Sequence, residues 1–153
     1  MSDLTTKELV DMIVKRFSRD HMIFFEVGSP CRKRSVDILA INHYYDHDSI
    51  IGFEVKVSRS DFLNELKAPD KAESIKKYCS HWYLVANSES VVKGRGGVID
   101  LPEDWGLIIP TKKNDKLRVK KEAPRLRKNC NIPLPLVARL LHKTADFKKQ
   151  RRK

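Results

Sequence analysis

The sequence predicts an α/β protein: a mixed sheet flanked by helices, in the order helix, three strands, helix, strand, followed by a basic C-terminal appendage. Three observations predict it. Apolar residues fall first at helical spacing, then in strand-like runs, then at helical spacing again. The first three strand-like segments have short links, which favours an antiparallel meander, whereas the helical stretch 58–80 is long enough to cross over to a parallel fourth strand. The positive charge is confined to one end: residues 1–110 carry 15 Lys or Arg against 17 Asp or Glu, and residues 111–153 carry 16 against 3.

Thr5-Thr6-Lys7-Glu8 has the pattern of a capping box, and Leu9, Val10, Ile13 and Phe17 follow at helical spacing, so 6–18 reads as an amphipathic helix. Ile23-Phe24-Phe25-Glu26-Val27 is rich in strand formers and stops at Gly28-Ser29-Pro30. Residues 35–41 form a second, mostly buried strand, 42–49 a polar turn, and 50–57 a third strand. Ser58-Arg59-Ser60-Asp61 is a second capping box, opening a helix to about Leu66 that Pro69 interrupts; a further helix runs from Asp70 to Tyr78. His81–Ala86 is the fourth strand, and 94–97 is a loop without the strand-to-helix context of a phosphate-binding loop. Two short strands, 105–109 and 116–119, precede a final helix carrying Leu136, Val137, Leu140 and Leu141.

A chain of 153 residues suits one domain with its own core. It divides into a core, 1–110, and a basic extension, 111–153, with a strand and a helix, part of the same domain. No apolar run approaches the roughly 20 residues that span a bilayer, and the first residues lack the basic-then-apolar pattern of a signal peptide. The widely spaced Cys31, Cys79 and Cys130 argue for reduced thiols. A cytoplasmic protein without membrane association is therefore expected. The net charge of +11 points to a polyanion as partner, with nucleic acid favoured.

The chemistry centres on Phe53-Glu54-Val55-Lys56-Val57. Strand alternation puts Glu54 and Lys56 on one face and the three apolar side chains on the other. Charges on an otherwise apolar strand need a partner or a metal; the plain alternative is an edge-strand salt bridge. A second Glu-x-Lys, Glu65-Leu66-Lys67, lies on a helix and reads as a solvated face. Asp37 interrupts the apolar run of the preceding strand, where a meander can bring it close to Glu54. Two neighbouring carboxylates repel unless a cation lies between them or one takes a proton. Such oxygen donors suit Mg²⁺ or Mn²⁺, with the backbone carbonyl of Val55 as a further ligand. The metal would activate water and stabilise phosphate charge, and Lys56 would add a point charge beside the nucleophile or the scissile phosphate.

Asp37, a gap of 17 positions and Glu54-Val55-Lys56 on successive strands together resemble the PD-(D/E)XK nuclease superfamily over roughly residues 5–87. A narrower similarity is to MmcB-like DNA-repair nucleases and related phage proteins. It rests on Phe25-Glu26-Val27-Gly28, Arg34-Ser35-Val36-Asp37, the stretch 54–62, Lys77-Tyr78-Cys79, Tyr83-Leu84-Val85, and Leu101-Pro102-Glu103-Asp104-Trp105-Gly106-Leu107. The resemblance implies a restriction-endonuclease-like αβββαβ core and metal-dependent hydrolysis of DNA phosphodiesters in repair, recombination or phage DNA processing. It implies a prokaryotic cell or phage-infected host as the setting, and a homodimer as one arrangement that cuts both strands. Two positions depart from the pattern: Val36 stands where the motif carries proline, and Ser74 where some members carry a glutamine four residues before Tyr78.

Glu8 and Glu26 are alternative extra ligands, Glu8 also serving as a cap. Lys76, Lys77, Lys112, Lys113, Arg118, Lys120, Lys121, Arg125, Arg127 and Lys128 are candidates for neutralising phosphates. Trp82 and Tyr83 read as core and not as stacking platforms, Ser58 and Asp61 as helix caps, and Cys79-Ser80-His81 lacks partners for zinc. A non-catalytic nucleic-acid-binding module and a basic RNA-associated protein are the competing readings.

Overall fold

The computed structural model describes residues 3–30, 35–43 and 49–151, with side chains described as far as Thr144. Cys31, Arg34 and His47 lie outside the described residues. The elements are α1 (Thr6–Phe17), β1 (His21–Gly28), β2 (Ser35–Asn42), β3 (Ile50–Lys56), α2 (Arg59–Lys67), α3 (Pro69–Lys76), β4 (His81–Ala86), β5 (Gly106–Pro110), β6 (Leu117–Lys121) and α4 (Leu134–Arg151). Short 3-10 turns at Glu89–Val91 and Arg95–Gly97 occupy the β4–β5 connection.

The strands form one six-stranded mixed sheet in the order β1-β2-β3-β4-β5-β6. β1, β2 and β3 are the antiparallel meander that their short links favour. The α2–α3 crossover makes β4 parallel to β3, and β5 is parallel to β4. β6 returns antiparallel on β5.

Helices cover both faces because each buries one apolar stripe. On one face Leu9 and Ile13 of α1 pack with Ile38, Ala40, Phe53, Val55, Tyr83, Val85 and Ile108. Thr5 and Glu8 make the full capping box that starts this helix. On the other face Phe62 of α2, Ile75 of α3 and Leu136 and Leu140 of α4 pack with Leu39, Trp82, Leu84 and Leu107. Trp82 and Tyr83 are core side chains, as expected. Gly52 is required here: a Cβ at that position would lie 2.3 Å from the Trp82 ring, which crosses β3 at this point.

The described residues from 111 onward are built into this body more closely than an appendage would be. β6 completes the sheet, and Leu126 N–H donates to Ser80 O at 2.8 Å. The Arg127 guanidinium donates to the carbonyls of Lys76 and Cys79. The α4 residue Arg139 donates to the carbonyls of Ser29 and Pro30, just after β1. No helix among the described residues is long and apolar enough to cross a membrane.

Candidate active site

The β2–β3 ladder runs from Ile41↔Ile50 to Ile38↔Phe53 and stops there. One step further along each strand come Asp37 and Glu54. The residues after Phe53 keep strand form because β4 still pairs with them, up to Lys56↔Ala86. The Val55 N–H points to the β2 side, where the next ladder bond would form, and donates instead to Asp37 Oδ2 at 2.8 Å. In a strand the N–H and C=O of one residue leave on the same side. The Val55 carbonyl therefore faces the same gap, beside Asp37.

Alternation along β3 sends Phe53 and Val55 into the α1 face of the core and Glu54 and Lys56 to the α2–α3 face. Glu54 is 1% exposed. Its carboxyl is pushed up to about 9, first by burial, then by the negative charges of Asp37 and Glu65, with Lys71 opposing. A hydrogen bond with Asp37 also holds the proton there. Asp37, Glu54 and the Val55 backbone thus meet at the end of the β2–β3 ladder, a proton on Glu54 relieves the repulsion between the two carboxylates, and Lys56 shares the Glu54 face of β3.

Lys56 does not stand alone. Its Nζ lies 3.4 Å from Glu65 Oε2, and the Nζ of Lys71 donates to the same oxygen at 2.9 Å. The reading of Glu65-Leu66-Lys67 as a solvated face is corrected for Glu65, which is buried on the inner side of α2 together with Phe62. Neither Glu65 nor Lys71 stood out in the sequence. The available signal was spacing: Glu65 falls three residues after Phe62, on the apolar side of its helix. The other oxygen of Glu65, Oε1, is buried without a hydrogen-bond partner among the described residues.

The remaining candidates fall in several places. Glu26 lies across β1 from Asp37, between the pairs Phe25↔Ile38 and Val27↔Val36, and is exposed with a φ of 47°. It borders the site. Glu8 is not brought to it. Its Oε1 accepts from the Thr5 N–H and hydroxyl, and α1 packs on the opposite face of the sheet. Ser58 caps α2, its hydroxyl accepting from the Asp61 N–H at 3.2 Å. Cys79 is buried, and its thiol donates to the Ile75 carbonyl.

Lys76 is a correction: it is a buried residue whose ammonium meets Asp104 at 2.5 Å and Glu73, not a phosphate contact on a solvated face. Lys121 and Arg127 donate to backbone carbonyls of the chain itself, Lys121 to Pro102 and Glu103. Lys77, Lys112, Lys113, Arg118, Lys120, Arg125 and Lys128 are exposed. Lys112 and Lys113 sit in the β5–β6 turn, which follows the C-terminal end of β5. In this parallel part of the sheet, that is also the end where Glu54 and Lys56 lie.

Among the described residues no three His, Cys, Asp or Glu side chains form a metal-holding group. The donors present still fit one hard divalent cation. Two carboxylates share a proton that a cation can displace, a backbone carbonyl faces the same gap, and Mg²⁺ takes its other ligands from water.

The fold and the site together define a mixed α/β protein with a carboxylate–lysine cluster where its antiparallel meander meets its parallel strands. No family model and no curated protein matches the chain. Among solved structures it is similar to the SPO1766 protein of unknown function from Silicibacter pomeroyi, with a TM-score of 0.63 and 16% identity. The alignment covers 97% of this chain and 90% of that one, so the likeness of fold extends over nearly the whole molecule.

Proposed function

We propose that this chain is a metal-dependent DNA nuclease of the PD-(D/E)XK type, with β1–β4 and their helices as a restriction-endonuclease-like core. The observation that supports the reading best is the end of the β2–β3 ladder. There Asp37 takes the Val55 N–H, Glu54 turns to the same gap as a buried acid, and Lys56 follows on the same face. A bound Mg²⁺ or Mn²⁺ would supply an activated water and charge stabilisation at the phosphate.

The chain's own groups do the rest. Asp37 is fixed by the Val55 N–H, so its second oxygen keeps one direction. Glu54 would give up its proton to a bound cation, and its burial keeps bulk water from the carboxyl. Lys56 presents a cation whose position Glu65 sets. Exposed basic residues of 111–128 neutralise neighbouring phosphates without reading bases.

Purified protein incubated with plasmid, single-stranded and branched DNA should cut at least one of them with Mg²⁺ or Mn²⁺ and none with chelator. Asp37→Ala and Lys56→Ala should each lower the rate by about a hundredfold or more while DNA binding persists. A second reading, a non-catalytic nucleic-acid-binding module, is favoured by one feature: Glu65 already neutralises Lys56 within the chain. Salt-sensitive binding without cleavage in either metal would establish it in place of the first.

A further inference from the structure

We propose that Lys71 is a second phosphate-binding cation of this site, and that Glu65 is the positioning residue that holds Lys71 and Lys56 together. The identity of the phosphate it meets as the scissile one rests on the nuclease reading; the contact with nucleic acid does not.

The geometry begins at the break between α2 and α3. A residue six positions on points away from its starting side in a continuous helix. Here the chain leaves helical form at Ala68, whose φ of −123° and ψ of 68° end α2, and Pro69 opens α3. The turn brings Lys71 back over Glu65, where its Nζ donates to Oε2 at 2.9 Å. Lys56 approaches that same oxygen from the sheet at 3.4 Å.

A salt bridge that only fastened α3 to α2 would need one amine. Here two amines converge on one oxygen of a buried carboxylate, and its second oxygen has no hydrogen-bond partner among the described residues. The two amines differ in access: the Lys71 side chain is 30% exposed and that of Lys56 is 16% exposed. Lys71 is thus the more accessible of the two amines.

The charges at this spot match a phosphodiester. Asp37, Glu54 and Glu65 fully ionised against two ammonium groups leave one negative charge. A divalent cation turns that into one positive charge, the complement of a phosphodiester monoanion. Burial works against the Lys71 charge, and Glu65 outweighs it through its hydrogen bond and its negative charge, with smaller contributions from Glu54 and Asp37. Lys71 therefore remains a full cation when the anion arrives.

The test is equilibrium binding of a short DNA duplex at several salt concentrations, once with Ca²⁺ and once with chelator, read by fluorescence anisotropy. Lys71→Ala should weaken binding roughly three- to tenfold and reduce the slope of log K against log salt by about one, the signature of one lost phosphate contact. Lys71→Arg should restore both, and Lys71→Gln replaces the alanine variant if that one fails to fold. Glu65→Gln should lower kcat with Mg²⁺ more than it raises KM, because both amines lose their anchor. An unchanged slope in Lys71→Ala or Lys71→Gln, with only the thermal midpoint lowered, would overturn the proposal and leave Lys71 a structural ion pair. If the wild-type chain binds but never cuts, the nuclease reading falls while the slope still decides the role of Lys71. If it binds no DNA, both fall.

Discussion

At the scale of single residues, Glu54 has the sharpest consequence. Its carboxyl keeps a proton up to about pH 9 in the folded protein, whereas the unfolded chain releases it near 4.5. The folded state binds the extra proton between those values. The stability this group contributes is therefore complete below about 4.5 and is lost as pH rises through about 9. Metal-free protein should show a falling thermal midpoint between about pH 7.5 and 9.5, above the histidine range. Glu54→Gln should flatten that fall, and the difference between the two curves isolates this carboxyl from the thiols. Divalent metal, which competes with the proton, should bind more tightly as pH rises over the same interval, with calorimetry recording proton release. A Glu54→Gln curve parallel to the wild type would contradict the assignment.

At the scale of elements, local pattern reads the chain well because each helix buries one apolar stripe and the central strands, buried on both faces, are short near-continuous apolar runs. The strands of the meander, the crossover, the capping box at Thr5 and the N-cap at Ser58 all carry local signals, and the structure has them where those signals fall; at Ser58 only the hydroxyl half of the expected box forms. Glu65, Lys71 and Lys76 were illegible for a shared reason. A charge on a helix is normally solvated, and what buries Glu65 and Lys76 and draws Lys71 onto Glu65 is the docking of α2 and α3 on the sheet and on the segment around Asp104, which no local pattern encodes. The Lys76 assignment separates the two possibilities by experiment. Lys76→Met removes charge-assisted hydrogen bonds to Asp104 and Glu73 and should cost about 1–2 kcal/mol in denaturant unfolding. DNA affinity and its salt slope should stay unchanged; a phosphate contact would give the opposite pattern.

At the scale of the whole molecule, charge and topology divide the work. The carboxylates and their lysines sit inside the sheet's end, and the basic surplus lies on the later part of the chain, part of it consumed by internal hydrogen bonds. Arg127 and Arg139 tie that part to the body, so a count of basic residues overstates the cations available to a partner. The paired exchange Lys112→Ala with Lys113→Ala tests the free portion. It should reduce the salt slope of DNA binding by up to about two for every sequence alike, while the turnover of saturated substrate is preserved. A sequence-dependent loss would show that the β5–β6 turn reads bases. The site motif was legible in the sequence because Asp37 and Glu54 violate strand preferences; their supporting shell was not, since it depends on helices that pack only once the sheet exists.

The return of α4 to β1, fastened by Arg139, has a consequence for biogenesis. β1 leaves the ribosome early and α4 late, so the apolar side of the first strand lacks its final cover throughout synthesis. Phe24 and Val27, which share a core cluster with Leu136 and Leu140 of α4, are the side chains that wait longest for their cover and mark where a nascent chain would hold a chaperone.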